Sequence, residues 1–194
     1  MPDRYSSKEI HRLIKADLFR QDGLIGVKGF IKGWLLKPGF RYAYLLRKTA
    51  FYKKYSLVGI FYRILKRRAR TKYGYDISSD AEIGEGLFLS SHPGHIVVGP
   101  IKIGKYCNIN NAVTIGRAYK GGKIGRPTID DFVWIGPGSV IVGNIKIGKN
   151  VLIAPNSFVN FDVPDNSLVI GNPAKVFKKD NPTKNYINYV LSAE

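Results

Sequence analysis

An aliphatic residue returns every six positions along the middle of the chain: at Ile77, Ile83 and Leu89, then at Val97, Ile103, Ile109 and Ile115, then at Ile129, Ile135, Ile141, Ile147, Ile153 and Val159. A period of six fits neither an amphipathic helix nor an alternating strand. It marks a repeat in which each unit supplies one short strand and a corner. Three units close a coil of roughly 18 residues, and the aliphatic side chains of successive coils stack into a narrow prism. Glycine often follows the aliphatic residue (Gly84, Gly104, Gly116, Gly136, Gly148), which suits tight corners. The fourth residue after it is small or aliphatic (Ala81, Cys107, Val113, Val133, Ser139, Val151, Ser157) and shares the interior. The pattern predicts a mainly β chain, with a parallel β-helix over residues 76–176. Two insertions interrupt it: two extra residues between Leu89 and Val97, and eight between Ile115 and Ile129.

Before the repeat the pattern is helical, and residues 1–75 read as a separate leader. Ser6 and Glu9 have capping-box spacing, and Ile10, Leu13, Ile14 and Leu18 trace one helix face. After the Gly23, Gly26 and Gly29 interruptions and the Pro38-Gly39 break, an aromatic and basic helical segment runs from about Phe40 to Lys72. A break is predicted in it near Gly59. Residues 177–194 read as a polar tail in which Tyr186, Tyr189, Val190 and Leu191 are available to pack on a neighbour.

Charge sharpens this division. The 194 residues carry 31 Lys and Arg against 14 Asp and Glu, a formal charge of +17. Residues 1–76 hold 19 of the basic and 5 of the acidic residues, hence 14 of the 17 net charges. Such a leader serves either as a solvated helical cap on the β-helix or as a contact with an anionic membrane face. It has the electrostatic footprint of a nucleic-acid binder but no accompanying reading motif, so no nucleic-acid partner is expected. The single cysteine, Cys107, excludes an internal disulfide and falls on an interior position of the repeat. The first fifteen residues lack the apolar segment of a signal peptide, and no run of 18 apolar residues occurs. A cytoplasmic location, with the inner membrane face as an option, is the expectation.

Two of the three histidines, His92 and His95, lie inside the first insertion. An imidazole is the natural general base near neutral pH. Two histidines without a third partner do not make a zinc site of the three-histidine type, so no metal is expected.

The run Gly86–Gly99, with Ile103-Gly-Lys, Asn110–Gly116, Ile135-Gly-Pro-Gly, Gly143-Asn and Gly171-Asn-Pro-Ala-Lys175, resembles the serine acetyltransferase group of hexapeptide-repeat acyltransferases. The resemblance covers roughly Tyr73 to Val176. More loosely, Pro38–Tyr42 and Arg70–Gly74 resemble the leader of a subgroup associated with capsule and exopolysaccharide synthesis. The resemblance implies a left-handed β-helix, a homotrimer, and acetyl transfer from acetyl-CoA to a hydroxyl. It implies His92 as general base, with Asp76 as its carboxylate partner. His95, Ser91, Asn111 and Arg126 are then expected at the acceptor. Gly136, Gly138 and Ala154 are expected along the coenzyme wall, and Ala174, Lys175, Lys178, Lys179, Lys120 and Lys123 near the coenzyme and its phosphates.

Two departures bear on the acceptor. Serine-acetylating relatives have an acidic residue just before the histidine, where this chain has Ser91, and a second histidine where it has Arg126. The expectation is therefore a sugar hydroxyl, on a lipid-linked or nucleotide-linked saccharide of capsule, exopolysaccharide or O-antigen synthesis. Serine O-acetylation is the alternative within the same chemistry, and a non-catalytic membrane-associated β-helix scaffold is the alternative outside it.

Overall fold

The computed structural model describes residues 5–92 and 94–191. Helix α1 (Ser7–Phe19) begins with the expected capping box: Ser6 Oγ accepts the Glu9 N–H, and the Glu9 carboxylate accepts the Ser6 N–H. Helices α2 (Gly26–Leu36), α3 (Pro38–Phe51) and α4 (Leu57–Tyr73) follow. The break foreseen at Gly59 lies instead at 52–56. Gly59 sits in the first turn of α4, where its N–H donates to the Ser56 cap at 3.0 Å. A β-carbon there would run into the Lys53 carbonyl. Gly74, with φ 77°, ends α4 in the left-handed conformation glycine favours.

Among the described residues fifteen short strands follow. The first coils hold β1 (Tyr75–Ile77), β2 (Glu82–Ile83), β3 (Phe88–Leu89), β4 (Ile96–Val98), β5 (Lys102–Ile103), β6 (Asn108–Ile109) and β7 (Thr114–Gly116). The later ones hold β8 (Thr128–Ile129), β9 (Trp134–Ile135), β10 (Val140–Val142), β11 (Lys146–Ile147), β12 (Val151–Ile153) and β13 (Phe158–Val159). The set ends with β14 (Ser167–Gly171) and β15 (Ala174–Lys178). They form three sheets, ordered β1-β4-β7-β10-β13, β2-β5-β8-β11 and β3-β6-β9-β12-β14-β15. All pairs are parallel except β14–β15, a hairpin laid on the last coil. This is a parallel β-solenoid with a four-helix region at its start.

The aliphatic positions of the repeat line its interior: Leu89, Ile109, Ile115, Ile135, Ile141, Ile147, Ile153 and Val159 are fully buried. One predicted position is corrected. Val97 is 40% exposed, whereas Ile96 and Val98 are buried, because Ile77 pairs with Val98 and Asp76 with Val97. The first insertion therefore holds three extra residues, and the Gly99-Pro100 corner after it is one residue shorter. Cys107 is buried as expected, and burial pushes its thiol up to about 12, which leaves it inert as a nucleophile.

The helices close the open end of the prism through a buried ion pair. Arg47 on α3 donates to both carboxylate oxygens of Asp17 on α1, at 2.9 and 3.2 Å, and to the carbonyls of Ile83 and Gly84 at 2.5 and 2.6 Å. Asp17 also accepts the Leu87 N–H at 2.8 Å. At its N-terminus α3 approaches so closely that a β-carbon at Gly39 would overlap the Leu89 carbonyl. The tail, read from the sequence as available to a neighbour, makes contacts with its own chain. The Tyr186 ring lies 4.8 Å from Trp134, the Tyr189 ring meets Phe19 edge-on at 6.2 Å, and Asn108 donates to the Tyr186 carbonyl.

Tyr42 and Tyr75 sit edge to face at 5.3 Å beneath the first coil. Burial pushes both phenols up to about 12, from an ordinary 10.0. A folded-state value above the unfolded one means that folding favours the neutral phenol. This contribution is complete below pH 10 and is lost as pH rises through 12. Spectrophotometric titration should show a class of tyrosines that ionises only near pH 12, with the denaturant midpoint falling over the same interval. Tyrosines that all titrate near 10 in folded protein would contradict this packing.

Candidate active site at an interrupted corner

His92 lies between β3 and β4, in the stretch that carries three extra residues. Its side chain is exposed, and its Nδ1 lies 3.1 Å from the hydroxyl of Ser90. Ser90 is buried, and its Oγ also accepts the His92 N–H at 3.3 Å. The Ser90 carbonyl in turn accepts the Tyr75 hydroxyl at 2.6 Å. A rigid core tyrosine thus fixes the serine that fixes the ring. Sequence reasoning missed both residues. Two serines immediately before His92 were the available signal, but the strand register needed to turn Ser90 inward was not readable.

Asp76, expected to partner His92, faces elsewhere in this chain. It points outward from β1 and pairs with Arg70 of α4 at 3.3 Å, both side chains being more than half exposed. The cause is strand alternation: Tyr75 and Ile77 point inward, which turns Asp76 outward beside Val97.

The corner is built up by later coils. A β-carbon on Gly94 would sit 3.0 Å from that of Asn111, and the Gly138 N–H donates to the Asn111 carbonyl at 3.0 Å. Gly138, at φ 72°, would overlap Asn156 if it carried a side chain. Gly94, Asn111, Gly138 and Asn156 therefore form one column over four coils. Ser91 and His95 flank it. Both are exposed, and the His95 ring edge lies over Gly74, whose β-carbon would be 3.4 Å away.

Not all expected residues join this column. Gly136 and Ala154 stack directly on each other at the same corner, so coil packing itself demands the glycine. Ala174 is buried on β15, and Lys175 pairs with Ile170 at the column end of the hairpin. Lys178 pairs with Ser167, and the Lys179 N–H donates to Asn166. Those two lysines thus lie at the hairpin's other end, away from the column. The second insertion leaves after β7, at a different corner of the prism. It folds back through reciprocal Ala118–Gly125 hydrogen bonds, and Lys123 is tied to Asp162. Lys120 and Arg126 are exposed there. Within one chain, Lys120, Lys123 and Arg126 do not converge with His92. Two shallow clefts, one against β2, β5 and β8 and one between α4 and β1, are not lined by His92 either. Among the described residues, no group of three His, Cys, Asp or Glu side chains is placed to hold a metal.

A stacked β-solenoid with an exposed histidine at an interrupted corner defines a class, and comparison with known proteins agrees. The family pattern described as bacterial transferase hexapeptide (six repeats) matches residues 126–160. A serine acetyltransferase of Helicobacter pylori is 33% identical over 152 residues, covering 75% of this chain and 85% of its own. One from Synechococcus elongatus is 32% identical over 142 residues, but the chain spans only 58% of its length. The structure of Neisseria gonorrhoeae serine acetyltransferase in complex with serine superposes with a TM-score of 0.70 at 30% identity, covering 89% of this chain and 70% of that one. The Brucella abortus serine acetyltransferase in complex with coenzyme A gives 0.72 at 28% identity, covering 90% and 70%. The chain belongs to the hexapeptide-repeat acyltransferase family. The names of these relatives concern serine and not a polysaccharide, contrary to the acceptor expected from the sequence.

Proposed function

We propose that the chain is an acetyl-CoA-dependent O-acetyltransferase with His92 as its general base. The observation that carries this is the ring's geometry: Nδ1 is held by Ser90, which leaves Nε2 on the open side of the corner. With the proton on Nδ1 donated to Ser90 Oγ, Nε2 takes the acceptor hydroxyl's proton as that oxygen attacks the thioester carbonyl. The C–O bond forms while the carbonyl becomes an oxyanion, which backbone N–H groups of the corner stabilise. Collapse breaks the C–S bond, and the imidazolium returns its proton to the departing CoA thiolate. The pantetheine arm runs along the column from Gly94 past Asn111 and Gly138 toward Ala174, with Lys175 at the phosphate end.

The relatives support L-serine as the acceptor. A sugar hydroxyl remains a second reading on one specific ground: the residue before His92 is Ser91, which offers no charge to an α-ammonium group. The chain acts as a homotrimer in this reading, in which a neighbour's second insertion brings Arg126, Lys120 and Lys123 to the corner. Release of free CoA thiol measured with L-serine and with a panel of hexoses tests it. Serine-dependent release well above acetyl-CoA hydrolysis is expected. Release with a sugar and none with serine would move the acceptor while leaving the chemistry intact. No acceptor-dependent release would overturn the proposal.

A further inference from the structure

Helices α2 and α4 both pack on α3 through Tyr44, whose ring lies 5.4 Å from Phe30, 5.5 Å from Trp34 and 6.4 Å from Tyr62. Among the described residues, nothing covers their outer faces. On α2, Val27 is 77% and Leu35 64% exposed; on α4, Leu57 is 88% and Phe61 56% exposed. Of the 19 large apolar residues exposed among the described ones, eleven lie between Ile25 and Ile64, so the surface is concentrated rather than scattered. Residues 23–75 contain 14 Lys and Arg and no Asp or Glu. Lys28 and Lys32 on α2, Lys53 and Lys54 in the turn, and Arg67 and Arg68 on α4 are all exposed beside the apolar positions.

We infer that this α2/α4 face docks on an anionic lipid surface. The occupant follows from charge and chemistry together. A second copy would bring the same uncompensated positive charge against its own, which costs energy at close approach. A nucleic acid would neutralise the cations but leave the exposed leucine, valine and phenylalanine side chains in water. A bilayer with anionic headgroups takes both: the aliphatic and aromatic side chains enter the headgroup–acyl boundary, while lysine and arginine reach up to the phosphates. No described helix is long and apolar enough to cross a membrane, so the contact is peripheral. It does not depend on the acetyl chemistry.

Co-sedimentation of the full chain with vesicles tests this, using phosphatidylcholine alone and phosphatidylcholine with phosphatidylglycerol. Binding is expected only to the anionic vesicles, and it should weaken with added salt. Combining Leu35→Asp with Phe61→Asp should weaken it at least about tenfold, because two apolar anchors are lost, with the melting temperature retained. If that variant does not fold, Lys28→Glu with Lys32→Glu, fully on the surface, should lower binding comparably. Equal binding to neutral vesicles, no binding to either, or unchanged binding by folded variants would overturn the inference. So would a smaller oligomer formed by the variants without lipid, which would assign the face to a second copy, or displacement from vesicles by equimolar RNA.

Discussion

Replacing His92 by alanine is expected to lower the turnover number for acetyl transfer by about 10²–10⁴-fold, the usual contribution of a positioned general base. The side chain is exposed and sits on a corner outside the prism, so the melting temperature should stay within a degree or two. KM for acetyl-CoA should change little, because in the proposed chemistry the ring acts on the acceptor oxygen and not on the body of the coenzyme. Initial rates of thiol release at saturating acceptor give the comparison. A variant within about threefold of the unaltered protein would remove His92 from its role. Ser90→Ala should give a smaller loss in the same parameter, since it frees the ring without removing the base.

The second large effect is structural. Asp17→Ala strands the Arg47 guanidinium in the junction between α1, α3 and the first coil, where both side chains of the pair are at most 3% exposed. Removing one partner of such a pair typically costs about 3–5 kcal/mol. In a chain of this size each kcal/mol lowers the melting temperature by roughly 2–4 °C. Replacing both partners, as Asp17→Leu with Arg47→Met, should recover part of the loss. Recovery will be incomplete, because the Ile83 and Gly84 carbonyls and the Leu87 N–H also lose their partners. Calorimetry on the unaltered protein and the two variants measures the effect. An Asp17→Ala protein as stable as the original would show that water reaches this pair.

Why the prism was readable and its junctions were not follows from the range of the forces involved. A period of six repeats one local decision, so Ile109, Ile135 and Ile153 announce their burial without any knowledge of neighbours. At Val97 the same counting failed, because a shortened corner offsets one residue of the insertion and only strand pairing reveals which residue turns inward. His92 could be found because it interrupts a period. Ser90 and Tyr75 could not, because their roles depend on a hydrogen bond between residues fifteen apart. The expected Asp76 pairing rested on resemblance alone, and strand alternation turns that carboxylate toward Arg70. Lys178 and Lys179 looked equivalent to Lys175 until the hairpin separated them by strand position. Asp17 and Arg47 gave no signal as a pair, being thirty residues apart on helices whose mutual packing the sequence does not encode locally.

The central claim is that a thioester lies along the column beginning at His92. A structure of the chain with coenzyme A bound tests it most directly. The thiol sulfur is expected beside the Nε2 edge of His92, with pantetheine along Asn111 and Gly138 and the phosphates near Lys175. A coenzyme bound elsewhere, with its sulfur out of reach of that ring, would contradict it.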